Sequence, residues 1–353
     1  MPKYIHTSIA INNREVNLAD IQAGKVSSFS AFENATFTFM KEWLSGENLF
    51  KFQTSGSTGT PKEIALTRNQ LQQSAQRTIE ALTLSERDTA LVCLDTKYIA
   101  GKMMLVRSLE SNMKIVAVEP SSNPLKGVTN QITFAAFVPL QLQQMLSNND
   151  SLQKLNQMKG IIIGGGAISH ALQSEIKKLS CPAFATYGMT ETVSHIALQR
   201  LNGPDASDFF HVLPGIQISL DGRGCLVIDM PEFEDSIVTN DFVELIGQDH
   251  FRWLGRYDNV INSGGFKISP EKIEKILESI LPERAFFVTS FYDERLGEKL
   301  VLVVEGNRMH IDFSKLQLHP YETPKEVIHL PEFIRTETGK INRGKTMRLL
   351  GIG

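Results

Sequence analysis

The chain has few cysteines and almost no net charge. Each shortage makes certain kinds of site or partner improbable. Its 353 residues include three cysteines, Cys93, Cys181 and Cys225, which are far apart and lie among apolar residues. An odd, scattered set predicts buried free thiols in the reducing cytosol, and it lacks both zinc-site spacing and the polar neighbours of a catalytic cysteine. The net charge of −3 disfavours nucleic acid as the main partner.

Long apolar runs are also missing. No segment approaches the roughly 18 apolar residues of a membrane span, and the first residues, 1–7, lack the apolar stretch of a signal peptide. We therefore expect a cytoplasmic protein. With 42% hydrophobic residues the chain can build a large core, and its length predicts two or three domains.

Apolar runs alternate with helical patterns in the first half of the chain. The spacing predicts a helix over 67–84 that begins after an N-cap at Thr67, and another over 169–179. Short apolar strands are predicted at 90–94, 114–118, 134–138 and 160–163. This alternation is typical of a mainly parallel sheet covered on both faces, in which ligands lie beyond the carboxyl ends of the strands.

The pattern changes after residue 212. Short strands and turns are predicted up to 254, including 215–220 and 225–229. A smaller α+β segment follows, with a helix that begins at Pro270 behind Ser269, strands at 284–290 and 298–305, and a last helix near 343–350. We predict a large α/β domain over 1–254 and a small α+β domain over 255–353.

The most informative segment is 52–64, Phe-Gln-Thr-Ser-Gly-Ser-Thr-Gly-Thr-Pro-Lys-Glu-Ile. Its glycines let backbone N–H groups approach a ligand, its hydroxyls donate further hydrogen bonds, and Lys62 adds a positive charge. Such a loop suits a polyphosphate. It is not a Walker A loop, because Pro61-Lys62-Glu63 stands where that motif has Gly-Lys-Ser/Thr. A flexible Ser/Gly linker is the plain alternative, although a linker has no reason to end in Thr-Pro-Lys.

The loop resembles the phosphate-binding signature of the adenylate-forming superfamily, which includes acyl-CoA synthetases, peptide-synthetase adenylation domains and luciferases; Glu63 departs from the usual glycine. Further segments match the superfamily in its order: Gly164-Gly165-Gly166-Ala167, Tyr187-Gly188-Met189-Thr190-Glu191, Thr239-Asn240-Asp241, Gly255 to Ile268, and Arg335 to Arg343. Each alone has an ordinary explanation as a tight turn, a surface carboxylate, an interdomain linker or a basic tail. Their common order across 52–343 favours the superfamily.

The resemblance implies that ATP, Mg²⁺ and CoA are the ligands. ATP would be bound by Thr54, Ser55, Gly56, Ser57, Thr58 and Gly59 at the phosphates, by Gly164, Gly165, Gly166, Tyr187 and Gly188 at the adenine, and by Asp241 and Arg256 at the ribose. Thr190 would hold a phosphate, and Glu191 would bind the metal, which prefers carboxylate and phosphate oxygens.

The same resemblance assigns the chemistry to two lysines. Lys62 and Lys340 would neutralise the repulsion between a carboxylate and the α-phosphate, so no protein nucleophile is needed. Asp258 would be the hinge of a small, mobile C-terminal domain. Gly264 and Gly265 would line the channel for the thiol arm of CoA, where only a missing side chain leaves room.

Within the superfamily the chain is most similar to the o-succinylbenzoate–CoA ligases of menaquinone synthesis. Its compact length and the segments 97–101, 192–195 and 259–265 carry this likeness. Lys97, Tyr98, Ser194 and His195 would then line the acid pocket. Lys97 or His195, with Ser194, would hold the carboxylate that does not react; a surface lysine and a satisfied core histidine are the alternatives.

Other readings stay open. Another acyl- or aryl-CoA synthetase, or a stand-alone enzyme that loads a carrier protein, would carry the same motifs, and a non-catalytic nucleotide-binding protein would keep the fold. The phosphate loop lies closer to the start of the chain than is usual in the superfamily. We therefore expect a large domain of mainly parallel covered sheets that is shortened at its N-terminus. The oligomeric state and the role of Glu63 are left open.

Overall fold

The computed structural model describes residues 4–53, 63–166, 168–282, 284–335 and 341–349. The predicted ATP contacts at Thr54, Ser55, Gly56, Ser57, Thr58 and Gly59, and the predicted catalytic residues Lys62 and Lys340, lie outside the described residues. Their roles stay predictions.

Strands and helices alternate through the first half, as predicted. The strands are β1 (Ser8–Ile11), β2 (Arg14–Asn17), β3 (Leu49–Gln53), β4 (Glu63–Thr67), β5 (Thr89–Val92), β6 (Lys114–Ala117), β7 (Phe134–Phe137), β8 (Gly160–Ile163), β9 (Ala183–Gly188), β10 (His195–Arg200), β11 (Phe210–Val212), β12 (Gln217–Leu220), β13 (Cys225–Asp229), β14 (Ile237–Ile246), β15 (His250–Arg256), β16 (Ile261–Ser263), β17 (Phe266–Ile268), β18 (Phe286–Asp293), β19 (Gly297–Glu305) and β20 (Glu326–Leu330). The helices are α1 (Leu18–Gln22), α2 (Ala31–Leu44), α3 (Arg68–Ala81), α4 (Ile99–Glu110), α5 (Pro139–Leu146), α6 (Asn149–Asn156), α7 (His170–Ile176), α8 (Pro270–Leu277) and α9 (Arg343–Arg348).

Most strands of the described residues form one large sheet, in the order β12-β13-β14-β15-β11-β10-β9-β8-β7-β5-β6-β1-β2. Its centre is parallel: β1, β6, β5, β7, β8 and β9 run side by side in the same direction. All four residues of β7 and of β8 are buried, as expected for strands covered on both faces. From β9 to β12 the pairing is antiparallel, which matches the short strands and turns predicted after residue 212.

Two helix starts follow the predicted capping chemistry. The Thr67 side chain accepts from the Gln70 backbone N–H, and the Gln70 side chain accepts in return from the Thr67 N–H, so α3 begins with a capping box. Ser269 accepts from the Lys272 N–H ahead of α8, whose first residue is Pro270. Both helices therefore begin where their sequences satisfy the free backbone donors.

A second, smaller sheet contains β17, β16, β19 and β18, with β20 parallel to β19. It has its own apolar core around Ile273, Leu277, Leu300 and Leu302. This separate core agrees with a small C-terminal domain, although the boundary at 254/255 and its mobility stay predictions. None of the described helices is long and apolar enough to cross a membrane.

Candidate nucleotide and acid site

The residues predicted to bind the ribose meet where β14 and β15 pair. Asp241 lies directly opposite Arg256 across these strands. The carboxylate of Asp241 accepts from the Tyr187 hydroxyl at 2.6 Å and from the Trp253 indole N–H at 3.2 Å, and the Arg256 Nε lies 3.8 Å from it. Asp241 is 7% exposed. Three predicted residues, Tyr187, Asp241 and Arg256, thus form one cluster, which we call the carboxylate cluster.

The carboxylate cluster keeps its tyrosine as a hydrogen-bond donor. Burial, followed by the charge of Asp241, raises the pKa of Tyr187, so its hydroxyl stays protonated at neutral pH. The Tyr187 ring packs edge-on against Phe251 at 5.0 Å between centroids. Since a carboxylate can accept about four hydrogen bonds, Asp241 keeps acceptor capacity for the hydroxyls of a ligand.

A glycine turn adjoins this cluster at the carboxyl end of the parallel strands. Gly164 follows β8, whose Ile163 pairs with Ala185 of β9, and the Thr186 hydroxyl donates to the Ile163 carbonyl at 3.2 Å. Gly165 and Gly166 are exposed. These exposed glycines lie at the carboxyl ends of the parallel strands, where ligands bind in sheets of this kind.

The turn between β9 and β10 is held in a strained shape. Val193 has φ of +66° although it is β-branched and fully buried. The Thr192 hydroxyl accepts from the Met189 N–H at 2.9 Å and lies 2.7 Å from the Ser194 carbonyl oxygen. A Cβ on Gly188 would lie 2.2 Å from that same oxygen, so no larger residue fits there. This turn leaves Glu191 exposed and holds Ser194 half-buried.

On the other side of this turn lies a second cluster, which we call the guanidinium cluster: Arg107, Ser194, His195 and Thr78. Arg107 comes from α4 and is 2% exposed. Its Nη2 donates to the Ser194 Oγ at 2.7 Å and its Nε to the Thr78 Oγ1 at 3.2 Å. The Thr78 hydroxyl also lies 2.9 Å from the His195 Nε2.

The guanidinium cluster carries positive charge without a matching carboxylate. Among the described residues, Arg107 contacts two hydroxyls, the Met104 sulfur and an imidazole nitrogen, and forms no ion pair. Burial lowers the pKa of Arg107 below its ordinary value. Burial and the charge of Arg107 lower the pKa of His195 well below its ordinary range, so His195 is neutral at pH 7. A buried cation in this setting is stabilised by an anionic ligand.

The structure separates the residues predicted for the acid pocket into two groups. Ser194 and His195 lie together beside Arg107. Lys97 is exposed; its Nζ lies 3.6 Å from the Asp95 carboxylate and 4.7 Å from the Tyr98 ring centre. The plain alternative of a surface lysine therefore fits Lys97 better. Sequence reasoning missed Arg107, although a lone arginine inside the apolar helical run 103–109 was a usable signal.

The remaining predicted residues occupy the turn region after β15. The exposed Asp258 carboxylate accepts from the Asn240 amide at 3.2 Å and from the Arg256 guanidinium at 3.2 Å. Gly264 and Gly265 form the turn between β16 and β17.

Glu63, which departs from the superfamily pattern, pairs with Lys51 across β3 and β4 at 2.9 Å, and both side chains are exposed. Lys51 thus neutralises the charge that Glu63 adds there.

The described residues could hold a magnesium ion only together with oxygen atoms from a bound ligand. Within the part of the chain that the structure describes, no group of three or more His, Cys, Asp or Glu side chains could hold a metal. Glu191 is a single exposed carboxylate on the turn after β9. Magnesium commonly binds through one or two carboxylates together with phosphate oxygens and water, so Glu191 suits a metal that arrives with ATP.

The fold is a mixed α/β fold with two buried polar clusters beside one turn, and comparisons with known proteins identify its class. The sequence pattern of the AMP-binding enzymes matches residues 15–222. An acyl-CoA synthetase (AMP-forming)/AMP-acid ligase II-like protein from Dyadobacter fermentans is 40% identical, with a TM-score of 0.65 over 93% of this chain and 97% of that one. The chain belongs to the AMP-binding enzyme family, and within it to the AMP-forming acid–CoA ligases.

More distant relatives are named for a particular acid. The 2-succinylbenzoate–CoA ligase of Escherichia coli is 26% identical over 308 residues, which are 82% of this chain and 66% of that protein. The chain thus spans about two thirds of that relative's length. An O-succinylbenzoate Coenzyme A Synthetase from Bacillus subtilis, in complex with ATP and magnesium ion, shares the fold, with a TM-score of 0.71 at 22% identity over 84% of this chain and 69% of that one. ATP, Mg²⁺ and CoA are the ligands of this class of ligase, as predicted.

Proposed function

We propose that this chain joins o-succinylbenzoate to CoA at the expense of ATP, as a step of menaquinone synthesis. The ligase class supports the two half-reactions, and the relatives named for 2-succinylbenzoate support the acid.

The three cysteines, which are free and buried, support a reducing compartment, and we propose the cytoplasm.

The observation that carries the choice of acid is the unpaired charge of the guanidinium cluster. o-Succinylbenzoate has two carboxylates on an aromatic frame, and only one can react at a time. The second needs a donor in an otherwise apolar pocket. Arg107 is such a donor: it is buried, it lacks an ion pair among the described residues, and its Nη2 is fixed on the half-buried Ser194 hydroxyl. A monocarboxylic acid would leave this charge unmatched.

In the first half-reaction a carboxylate oxygen of the acid attacks the α-phosphorus of ATP, and pyrophosphate leaves. Two anions must meet, so Lys62 and Lys340 would neutralise their repulsion as charge moves. Thr190 would hold a phosphate, and Asp241 would fix the ribose by accepting from its hydroxyls. Mg²⁺ on Glu191 would supply further positive charge at the phosphate oxygens.

In the second half-reaction the CoA sulfur attacks the acyl carbon, the bond to AMP breaks, and the thiol proton passes to solvent. We propose that the small domain turns about Asp258 between the two steps. The contacts of Asp258 with Asn240 and Arg256 are exposed charge and amide contacts, which are weak enough to exchange. The turn would present Gly264 and Gly265 to the thiol arm.

The direct test is incubation of the purified chain with ATP, Mg²⁺, CoA and a panel of aromatic and aliphatic acids. We expect pyrophosphate exchange and thioester formation with o-succinylbenzoate, and at least thirtyfold lower rates with monocarboxylic acids. Exchange with another acid and none with o-succinylbenzoate would assign a different substrate. Transfer to a phosphopantetheine protein but not to CoA would favour a carrier-loading enzyme, and no exchange with any acid would favour a non-catalytic nucleotide-binding protein.

A further inference from the structure

One fully buried hydroxyl joins the three elements of the guanidinium cluster. Thr78 on α3 is 0% exposed, and its Oγ1 lies 3.2 Å from the Arg107 Nε on α4 and 2.9 Å from the His195 Nε2 at the start of β10. Its third neighbour is the Ser74 carbonyl oxygen, one turn back on the same helix, at 3.3 Å. The geometry of the cluster therefore depends on an atom that is closed to solvent.

Counting protons assigns a direction to each of these contacts. A hydroxyl has one proton to donate and two lone pairs that accept. The Arg107 Nε–H can only donate to it, and the Ser74 carbonyl can only accept from it. If the Thr78 proton goes to that carbonyl, the His195 Nε2 must carry a proton of its own and donate it to the Thr78 oxygen.

The other ring nitrogen of His195 fits the same assignment. Its Nδ1 lies 3.5 Å from the Arg107 Nη2 and 3.5 Å from the Ser194 Oγ. Because a guanidinium nitrogen only donates, an unprotonated Nδ1 faces it without conflict, whereas a protonated Nδ1 would set two donors against each other. The arrangement in which every donor meets an acceptor thus places the single proton of the neutral His195 ring on Nε2.

Thr78 is held in the conformation that makes these contacts. A threonine within a helix has few side-chain rotamers, and one of them bonds to the carbonyl four residues back. Thr78 adopts that rotamer, with Ser74 as its partner. The preceding residue, Arg77, anchors the helix: its guanidinium pairs with both oxygens of the buried Glu232 carboxylate and donates from Nε to the Pro214 carbonyl at 3.1 Å. Both features fix the position of the hydroxyl within the protein itself.

We propose that Thr78 is a positioning residue of the acid site: its hydroxyl orients the Arg107 guanidinium and holds His195 in the tautomer with the proton on Nε2. This inference rests on the proposed function, in which Arg107 receives the second carboxylate of the acid. With Nε held by Thr78 and Nη2 by Ser194, the plane of the guanidinium is fixed at two points. Thr78 itself does not touch the acid, and it acts on acid selection through these neighbours.

The first experiment separates this role from a general contribution to stability. Pyrophosphate exchange would be measured for the intact chain, Thr78→Val and Thr78→Ser with o-succinylbenzoate and with its two analogues that each lack one carboxylate. Valine keeps the shape of threonine without the hydroxyl, whereas serine keeps the hydroxyl. Thr36→Val is the matched control, because Thr36 is equally buried and its hydroxyl pairs with Thr96 at 2.8 Å, away from Arg107. Thr78→Ala replaces Thr78→Val if the valine variant is too unstable to assay.

We expect Thr78→Val to raise the KM for o-succinylbenzoate about tenfold, roughly the effect of one hydrogen bond to a charged group. The KM for ATP and the kcat/KM for the better analogue should change less than twofold, so the preference for the diacid falls. Thr78→Ser should restore most of the loss, and Thr36→Val should keep the substrate preference of the intact chain. Equal losses with the diacid and the analogue, or an unchanged KM for the diacid, would overturn the proposal.

The second experiment needs no substrate. The ¹⁵N chemical shifts of an imidazole distinguish a proton on Nε2 from one on Nδ1, and His195→Gln identifies the signal of this ring among the eight histidines. We expect the proton on Nε2 in the intact chain and a shift towards the other tautomer in Thr78→Val. A proton on Nδ1 in the intact chain, or the same tautomer in both, would overturn the proposal. Absence of exchange with o-succinylbenzoate in the intact chain would instead overturn the proposed function, while this measurement would still decide whether Thr78 orders the cluster.

Discussion

The two polar clusters on either side of the turn 188–195 differ in how their charges are matched. In the carboxylate cluster, Asp241 is surrounded by a hydroxyl, an indole N–H and a nearby guanidinium. In the guanidinium cluster, Arg107 meets only neutral partners among the described residues. Both charges are buried. The protein alone nearly satisfies the first cluster, while the second has no anionic partner among the described residues.

We propose that this difference separates two tasks, ATP binding at the carboxylate cluster and acid selection at the guanidinium cluster. On this proposal the carboxylate, which its protein partners already hold, would need only to accept from two ribose hydroxyls. The unmatched guanidinium would lower stability until a substrate carboxylate compensates it, so the binding energy would favour acids that carry a second charge. Changes in the first cluster should therefore alter ATP binding, and changes in the second should alter acid selection.

The largest effect is expected from Asp241→Ala. It removes the proposed acceptor of the ribose hydroxyls and leaves the Tyr187 hydroxyl and the Trp253 N–H without their Asp241 partner. We expect kcat/KM for ATP in pyrophosphate exchange to fall at least a hundredfold, since hydrogen bonds to a charged group contribute about 1.5–3 kcal/mol each. The KM for the acid should change little. Asp208→Ala, an exposed carboxylate, is the control; a comparable loss there would show a general charge effect.

Arg107→Met should have the next largest effect, on the other substrate. We expect the KM for o-succinylbenzoate to rise about thirtyfold and the KM for ATP to stay within twofold. The same variant should be more stable at pH 7, because an apolar side chain replaces an unmatched buried charge, a change often worth about 1–4 kcal/mol. Steady-state kinetics and thermal denaturation measure the two effects, with the exposed Arg87→Met as control. A lower melting temperature together with an unchanged acid KM would refute the assignment.

Ser194→Ala should reproduce part of the Arg107 effect. The hydroxyl accepts from Arg107 and is the half-buried end of the cluster, so its loss should raise the acid KM about tenfold without altering the KM for ATP. If Arg107 and Ser194 act as one unit, the double variant Arg107→Met with Ser194→Ala should be no worse than Arg107→Met alone. Additive losses would mean that they contact the acid separately.

His195 should make stability depend on pH in the acid range. Its folded pKa lies well below that of the unfolded chain, so the unfolded state binds more protons as the pH falls below about 6.5. Stability is therefore full above that pH and decreases below it, by up to about 1.4 kcal/mol per pH unit. Urea unfolding between pH 7.5 and 5 should show a smaller slope for His195→Gln than for the intact chain. His310→Gln, at an exposed position, should keep the slope of the intact chain.

The smallest effect is expected at Lys97. Because its ammonium lies with Asp95 and Tyr98 at the surface, Lys97→Met should leave the KM for o-succinylbenzoate within twofold. The sequence alone allowed Lys97 to hold the second carboxylate. This variant therefore tests whether Lys97 or Arg107 has that role. A tenfold increase in that KM would return the role to Lys97.

Local chemistry made much of the fold predictable. The buried runs of β7 and β8, the cap at Thr67 and the proline behind Ser269 each determine structure within a few residues, and their predicted positions are confirmed. The hairpin β1–β2 was not predicted, because its pairing with β6 depends on residues about a hundred positions away. A short apolar strand is ambiguous until its neighbour in the sheet is known.

The candidate site was predictable only where a motif carried it. Recognisable sequence motifs contain Tyr187, Asp241 and Arg256, and the structure brings these three residues together. Arg107 belongs to no recognised sequence motif. Its place beside Thr78 and Ser194 depends on the meeting of three elements: α3, α4 and the end of the 188–195 turn. Long-range packing of this kind cannot be inferred from spacing along the chain.

The most direct measurement is the acid preference of pyrophosphate exchange in the intact chain and in Arg107→Met. The rates would be compared for o-succinylbenzoate and for its two analogues that each lack one carboxylate. If Arg107 receives the second carboxylate, the intact chain should prefer the diacid at least thirtyfold over the better analogue, and Arg107→Met should lose nearly all of that preference. A preference that persists unchanged in Arg107→Met would contradict the account.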